Sequence, residues 1–241
     1  MARVAVVTGG TAGIGFATCR RLLSEGRSVA ALYASDERQA EAARQETGLI
    51  CIKCDVSKPE QCRAAVEEVE TRLGVIDILV NNAGITWDGS LHKMSDDAWD
   101  RVLQVGLYGV FHMSRAVIEG MRNRQFGRIV SISSINGQKG QFGQTNYSAA
   151  KAGVIGFTKA LALEGARKGV TVNSIAPGYV DTAMLSGLAP DVLDGIKASI
   201  PVGRLGRPEE IARCVSFLAA DDAGFITGAV ISVNGGQYMM G

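Results

Sequence analysis

Short runs of apolar and β-branched residues recur along the whole chain, and such runs are typical of strands buried on both faces. They lie at Val4–Thr8, Ser28–Tyr33, Ile50–Cys54, Ile76–Asn81, Arg128–Ser133, Thr171–Ala176 and Val230–Val233. Between them are amphipathic stretches of helical length, among them Gly13–Glu25, Pro59–Arg72, Asp96–Gly120 and Tyr147–Lys168. Because buried strands joined by helices form parallel sheets with crossover connections, the pattern predicts a doubly wound, Rossmann-like α/β fold with helices on both faces.

No linker or shift in composition divides this alternation, so we expect a single domain over residues 1–241. The stretch from 182 to 201 interrupts the rhythm with Gly187, Pro190 and Gly195. Long connections on sheets of this kind often cover a ligand. We therefore predict a substrate lid there.

Composition and charge narrow the classes of partner. Hydrophobic residues make up 46% and charged residues 20% of the chain, which is ordinary for a globular protein. A formal net charge of +1 provides no large field for nucleic acid or anionic lipid, and no apolar run approaches the ~18 residues of a membrane span. We expect a small-molecule partner, no nucleic acid, no membrane and a cytoplasmic location.

The cysteines and histidines favour neither disulfides nor a metal. Five scattered cysteines do not resemble a disulfide framework, and we expect them to be reduced. Cys51 and Cys54 form a CxxC, but strand residues three apart point to opposite faces. The histidines, His92 and His112, have no second ligand cluster nearby, so no metal is predicted.

The first strand runs into a glycine-rich turn that opens directly into a helical pattern. Glycines there let the backbone approach a pyrophosphate, which the free N–H groups of a helix N-terminus favour. A strand before and a helix after make this a dinucleotide site and not only a tight turn. The predicted contacts are Gly9, Thr11, Gly13, Ile14 and Gly15.

The end of the second strand indicates which dinucleotide is bound. Tyr33 stands where an acidic residue commonly binds the adenosine ribose, with Ser35 and Arg38 just beyond it. These donors would meet a 2′-phosphate without repulsion, so NADP(H) is predicted as the cofactor. Asp36 argues mildly against this, and Arg38 as a solvated helix residue is the alternative.

Two further strand ends carry candidate cofactor contacts. Asp55 follows the third strand and could accept a hydrogen bond from the adenine amino group, or cap a helix. After the fourth strand, Asn82, Ala83 and Gly84 could tie the sheet edge to the cofactor, or simply form a turn.

Tyr147 and Lys151 are four residues apart on a predicted helix and therefore share a face. An ammonium beside a phenol stabilises the phenolate, so we expect Lys151 to lower the pKa of Tyr147 towards the range useful in acid–base catalysis. Ser134, at the exit of the fifth strand, supplies a hydroxyl that could polarise a substrate carbonyl. The three residues are the predicted catalytic group.

In this order and combination the motifs resemble the short-chain dehydrogenase/reductase family, over essentially the whole chain. The resemblance implies hydride transfer between a nicotinamide and a carbonyl carbon, with Tyr147 protonating the oxygen and Lys151 also binding the nicotinamide ribose. It further implies that Pro177, Gly178, Val180 and Thr182 hold the carboxamide, and that the protein is a homotetramer.

One position departs from the family pattern. The family usually has a catalytic asparagine in the helix before the fifth strand, and here Gly106 occupies the matching place. That amide normally organises a water chain to the lysine, and a water could fill the gap. We expect the catalytic group to function without it, with slower turnover.

The segment between Ser134 and Tyr147 is closely similar to the acetoacetyl-CoA reductases of polyhydroxybutyrate synthesis, and the C-terminal stretch resembles them too. The similarity implies NADPH-dependent reduction of an acyl thioester, acetoacetyl-CoA to (R)-3-hydroxybutyryl-CoA. It places Gln141, Phe142 and Gln144 beside the nicotinamide as substrate contacts, with an exposed glycine-rich loop as the alternative.

Two other functions stay open. A 3-oxoacyl-[acyl-carrier-protein] reductase has nearly the same motifs, and its acidic carrier would need a basic patch such as Arg124, Arg128, Arg167 and Lys168. A non-catalytic nucleotide-sensing regulator is the alternative of another class, encouraged only by Gly106.

Overall fold

The computed structural model describes residues 2–183, 185, 187 and 189–239. Within these residues, seven strands form one parallel sheet in the order β3-β2-β1-β4-β5-β6-β7. The strands are β1 (Val4–Thr8), β2 (Ser28–Tyr33), β3 (Ile50–Lys53), β4 (Ile76–Asn81), β5 (Gly127–Ile132), β6 (Val170–Pro177) and β7 (Val230–Val233). The predicted doubly wound α/β fold is confirmed.

Helices connect the strands on both faces of the sheet. They are α1 (Gly13–Ser24), α2 (Glu37–Thr47), α3 (Pro59–Leu73), α4 (Asp96–Leu103), α5 (Gly109–Arg124), α6 (Ile135–Lys139), α7 (Thr145–Gly165), α8 (Pro190–Ala198) and α9 (Pro208–Leu218). The stretch predicted as one helix over Asp96–Gly120 is two helices, because a π-helical turn at Gln104–Tyr108 lies between α4 and α5. None of the helices in the described residues is long and apolar enough to cross a membrane.

Two apolar cores fill the spaces between the sheet and its helices, because alternate strand residues point to opposite faces. Leu79 packs with α3 and α5 on one face, whereas Ile78 packs with α1, α2 and α9 on the other. Cys51 lies in the second core and Cys54 in the first, so the two thiols face opposite sides of the sheet as predicted.

The strand order reverses between β1 and β4, where the chain crosses from one half of the sheet to the other. In open α/β sheets, ligands bind outside the carboxyl ends of the strands at this reversal. Of the predicted lid at 182–201, residues 184, 186 and 188 lie outside the described residues, and α8 is the helix described within it. The lid stays a prediction.

Candidate active site

A cleft of about 480 Å³ opens at the carboxyl ends of the central strands. It brings together most of the predicted site residues from elements that are distant in sequence. Those lining it are Gly9, Gly13, Ile14, Asn82, Ala83, Gly84, Ser134, Gln141, Phe142, Gln144, Tyr147, Lys151, Pro177, Gly178, Val180 and Thr182. Thr11, Gly15, Ser35, Arg38 and Asp55 lie outside its lining.

The glycine-rich turn leaves room and free donors for a phosphate. Gly9 and Gly13 have φ of 60° and 50°, in the left-handed region that favours glycine. At Gly15 a Cβ would lie 2.1 Å from the Gly9 carbonyl oxygen, so only glycine fits. The N-cap of α1, Ala12, makes no side-chain cap, and the first turn carries no acidic residue. The unpaired N–H groups therefore fit a dinucleotide pyrophosphate.

Asn82 fixes this turn to the end of β4. Its Nδ2 donates to the carbonyl oxygens of Thr8 at 2.9 Å and Gly9 at 3.1 Å. In return, the Thr8 hydroxyl accepts the N–H groups of Asn82 and Ala83, each at 2.9 Å. These bonds hold the strand end and the glycine turn in one rigid unit across the reversal of the sheet.

The loop after β6 closes the other side of the cleft. Gly178 N–H donates to the Val233 carbonyl at 2.9 Å, and Val180 forms a parallel bridge with Gly206. A Cβ on Gly13 would lie 3.3 Å from Thr182 Cγ2, so this loop reaches the glycine turn. The two segments enclose the space predicted for the cofactor between them.

Beyond β2 the carboxylates are engaged, whereas the predicted phosphate donors are exposed. Asp36 caps α2 by accepting the Gln39 N–H at 3.0 Å. Glu37 accepts the Tyr33 hydroxyl at 2.6 Å and pairs with Arg44 at 3.1 Å. Ser35 and Arg38 are exposed, as are Asp36 and Glu37 themselves.

Asp55 is held by its own loop. Its Oδ1 accepts the N–H and the hydroxyl of Ser57 at 3.0 and 2.7 Å, and Arg101 lies 3.6 Å from Oδ2. Burial opposes ionisation, but these hydrogen bonds and the nearby cation lower the pKa of Asp55. Lys58, not Asp55, is the N-cap of α3, so the carboxylate organises the turn before that helix.

The catalytic group comes together from two helix starts. Ser134 is the N-cap of α6 and accepts the Asn136 N–H at 3.1 Å, and its hydroxyl lies close enough to the Tyr147 phenol to lower the pKa of that phenol. Lys151, one turn along α7, is buried, and its Nζ lies 5.6 Å from the centre of the Tyr147 ring. The ammonium donates to the Ile132 carbonyl at 2.8 Å.

Burial controls the titration of both groups. It raises the pKa of Tyr147, assisted by the charge of Asp88 and opposed by the hydrogen bond from Ser134. It also lowers the pKa of Lys151 to about 8. The net shift is opposite to the lowering expected from Lys151, because desolvation outweighs the other effects on the phenol. A phenol that keeps its proton is suited to donating it to a carbonyl oxygen.

Gly106, in place of the family's asparagine, is buried in the π-helical turn between α4 and α5. A Cβ at this position would meet the Ala150 Cβ at 3.4 Å, an ordinary contact. Because Ala150 precedes Lys151, the turn packs directly against the stretch of α7 that carries Tyr147 and Lys151.

Among the cleft residues that reasoning from sequence missed are three with polar side chains, Asp88, Asn136 and Tyr179. Asn136 Nδ2 donates to Gln144 Oε1 and Gln144 Nε2 donates to Asp88, each at 2.9 Å. Both ends of the Gln144 amide therefore bind within the protein. Asp88 follows the turn after β4, and Tyr179 follows Pro177-Gly178 at the end of β6. Their positions after strand ends, where this fold binds its ligands, could have indicated them from the sequence.

Comparison with known proteins agrees with this geometry. A family model described as enoyl-(acyl carrier protein) reductase matches residues 9–237. The chain belongs to the short-chain dehydrogenase/reductase family. As a member, it is an oxidoreductase that acts on a CH–OH/C=O pair with a nicotinamide cofactor.

Curated relatives of this short-chain dehydrogenase/reductase match along the whole length. The chain is 58% identical over 239 residues to an acetoacetyl-CoA reductase of Rhizobium meliloti (strain 1021), covering 99% of each chain. It is 57% identical to an acetoacetyl-CoA reductase of Shinella zoogloeoides over 100% of each chain. A 3-oxoacyl-[acyl-carrier-protein] reductase of Haemophilus influenzae is 45% identical over 98% of each chain.

Proposed function

We propose that this protein is an NADPH-dependent acetoacetyl-CoA reductase that forms (R)-3-hydroxybutyryl-CoA, as in polyhydroxybutyrate synthesis. The observation that carries the proposal is the convergence of Ser134, Tyr147 and Lys151 in a cleft beside a free helix N-terminus. The names of the relatives at 57 and 58% identity support the choice of substrate.

When bound, the nicotinamide supplies the hydride that reduces the carbonyl carbon. The Ser134 hydroxyl holds the carbonyl oxygen and donates a hydrogen bond as negative charge develops there. Tyr147, whose raised pKa keeps the phenol protonated, then gives its proton to that oxygen. Lys151 stabilises the resulting phenolate, since its ammonium lies near the ring and can return a proton to the phenol.

The cofactor's adenosine end supports NADPH over NADH. Asp36 caps α2 and Glu37 binds Tyr33 and Arg44, and these contacts compete with the binding of a ribose diol by either carboxylate. Arg38 is exposed just past β2 and can pair with a 2′-phosphate.

The other end of the cleft suits a short acyl thioester. Phe142 is 90% exposed while lining the cleft, and such a ring offers an apolar surface to an acyl chain or a thioester. Gln141 stands next to it and is also exposed. Gln144 reaches a substrate only by giving up one of its present partners.

An acyl carrier protein is less well supported as the carrier of the substrate. Arg124, Arg167 and Lys168 precede β5 and β6, so they lie at the amino ends of the strands, opposite the cleft. Arg128 is buried, and its guanidinium donates to the carbonyl oxygens of Ala220 and Asp221. The basic patch considered from sequence therefore cannot guide a carrier to this cleft.

The proposal includes a homotetramer acting in the cytoplasm. Aromatic residues stand exposed on the outer side of α5, where Phe111 is 41% exposed and Tyr108, just before the helix, is 52% exposed. Exposed aromatic surface of this kind is typical of contacts between subunits.

Steady-state oxidation of NADPH with acetoacetyl-CoA tests the function. We expect turnover with NADPH to exceed turnover with NADH by at least about tenfold in kcat/KM, the worth of one charge-assisted contact. A Tyr147→Phe variant should lose about a hundredfold or more of kcat while it still binds NADPH.

A carrier-protein thioester of the same acyl chain serves as the competing substrate. Higher kcat/KM on the carrier thioester than on the CoA thioester would replace the CoA assignment. NADPH binding without turnover on either thioester would contradict the reductase and favour a nucleotide-sensing role.

A further inference from the structure

The four residues before Tyr147, residues 143–146, each form a hydrogen bond with the segment that follows β4. Three of the ties are exposed or partly exposed hydrogen bonds. They join Gly89 N to Gly143 O at 2.8 Å, Gln144 Nε2 to Asp88 Oδ2 at 2.9 Å and Thr145 Oγ1 to Met94 Sδ at 3.6 Å. The fourth tie is made by Asn146, and it differs from the others in burial.

Asn146 is completely buried and uses its whole amide on the main chain. Its Nδ2 donates to the carbonyl oxygens of Trp87 at 3.0 Å and Ala98 at 3.1 Å. Its Oδ1 accepts the N–H of Tyr147 at 2.7 Å. A single side chain thus joins the loop after β4, helix α4 and the first turn of α7.

The start of α7 depends on this side chain because it has no ordinary cap. Gln144 occupies the N-cap position and makes no side-chain cap to the helix, since its amide binds Asn136 and Asp88. Removing the Asn146 side chain would take a donor from the carbonyl oxygens of Trp87 and Ala98 and leave the Tyr147 N–H without its side-chain acceptor, which buried structure tolerates poorly. Ser134, by contrast, is held by β5 and α6 and would keep its place.

We propose that Asn146 is a positioning residue that holds the Tyr147 phenol beside Ser134 in the cleft. The inference rests on the proposed reductase function, because its effect is on proton transfer to the substrate. Asn146 touches neither the substrate nor the cofactor space, since it does not line the cleft. Its contribution passes entirely through the placement of Tyr147.

The test compares Asn146→Ala with Asn173→Ala. Asn173 is equally buried and also bridges main-chain groups, donating to Ile226 O at 2.7 Å and accepting from Ala229 N at 3.0 Å. It lies within β6 and does not line the cleft. Both variants lose a buried amide, so a loss of stability alone affects them alike.

Kinetics with NADPH and acetoacetyl-CoA give the first readout. In Asn146→Ala we expect kcat to fall about tenfold or more, because small misplacements of a reacting group cost that much, with KM and the Kd of NADPH within about twofold. The primary isotope effect with deuterated NADPH should change only in this variant. A kcat that falls no further than in Asn173→Ala would overturn the proposal.

The phenol of Tyr147 gives a readout independent of turnover. Near-ultraviolet titration, corrected with the Tyr147→Phe form of each protein, measures its pKa. Because Ser134 lowers the pKa of Tyr147, loss of the contact between them in Asn146→Ala should raise that pKa. An unchanged pKa would refute the positioning role of Asn146. This result does not depend on whether the wild-type protein reduces a thioester. If Asn146→Ala does not fold, Asn146→Ser is judged by the same criteria.

Discussion

At the scale of single residues, the least expected feature is a lysine that is buried with no carboxylate partner among the residues that the structure describes. Lys151 is 3% exposed, and its ammonium donates to a main-chain carbonyl oxygen of Ile132. Desolvation lowers its pKa from 10.5 to about 8. The protein therefore bears a cost in stability to keep a cation close to the Tyr147 phenol.

This cost has a definite dependence on pH. Below about pH 8 the folded protein must hold the buried proton, whereas between about 8 and 10.5 only the unfolded chain holds it. The free energy of unfolding of the wild-type protein therefore increases as the pH rises from about 8 to about 10.5. We predict that near neutral pH the free energy of unfolding of Lys151→Met is higher than that of wild type. Removal of the buried charge contributes up to about 3 kcal/mol to this difference.

Denaturant unfolding of the unliganded proteins at neutral and alkaline pH measures the difference. It should shrink as the pH approaches the ordinary pKa of lysine, because wild type then no longer bears the cost. Lys159→Met, on an exposed position of the same helix, is the control and should show no such trend. A Lys151→Met difference that stays constant with pH would contradict the prediction.

At the scale of elements, the π-helical turn between α4 and α5 is the departure from regular structure nearest the site. A π turn widens the helix locally, and such turns occur often at functional sites. Here it presents Gly106 to Ala150 of α7, with room for a Cβ at 3.4 Å. Because glycine also lowers helix stability by about 1 kcal/mol relative to alanine, its presence is not explained by propensity.

We predict that Gly106→Asn folds and turns over acetoacetyl-CoA at a rate equal to or higher than wild type. The reason is that an amide at this position, as in the family pattern that the sequence resembles, would help to organise water near Lys151. Initial rates at saturating NADPH and a thermal melt measure the two properties. Gly106→Ala adds a Cβ without an amide and is the matched control; a marked loss of kcat in a folded Gly106→Asn would disprove the idea.

The strands and the position of the site could be predicted from the sequence. The π turn between α4 and α5 and the short helix α6 could not. The runs at Val4–Thr8, Ile76–Asn81 and Val230–Val233 have the predicted bounds, because continuous β-branched runs between turns carry a strong signal. The π turn was missed, since Gln104–Tyr108 continues the helical pattern and differs only in hydrogen bonding. Helix α6 was missed because INGQKG reads as a loop from its glycines.

The contents of the site divide in the same way. Ser134, Tyr147 and Lys151 were found because each stands at a strand end or a helical spacing that puts it on one face. The buried role of Asn146 could not be predicted, since its partners are main-chain carbonyl oxygens that any residue provides. The direction of the phenol's pKa also needed coordinates, because desolvation depends on packing and not on spacing.

At the scale of the whole molecule, the cleft lies at the carboxyl ends of the parallel strands, and aromatic residues are exposed on the outer side of α5. Tyr108, in the π turn, and Phe111, three residues further on in α5, are both exposed, and the Arg115 guanidinium lies 4.7 Å from the centre of the Phe111 ring. Exposed aromatic surface is unfavourable in water, and its burial contributes about 25 cal/mol per Å². A second copy of the chain is the partner that the proposed tetramer places there.

We predict that Phe111→Glu dissociates the assembly, because a carboxylate in the centre of a subunit contact would be desolvated without a partner. Sedimentation velocity should show a smaller species for this variant than for wild type. Val75→Glu, at a residue 48% exposed just after α3, places the same charge elsewhere and should leave the mass unchanged. An unaltered mass in Phe111→Glu would exclude this surface from the contacts between subunits.

Dissociation should also reduce turnover, because α4 and the π turn pack against α7, which carries Tyr147 and Lys151. Retention of full activity by the smaller species would show that the cleft is complete within one chain.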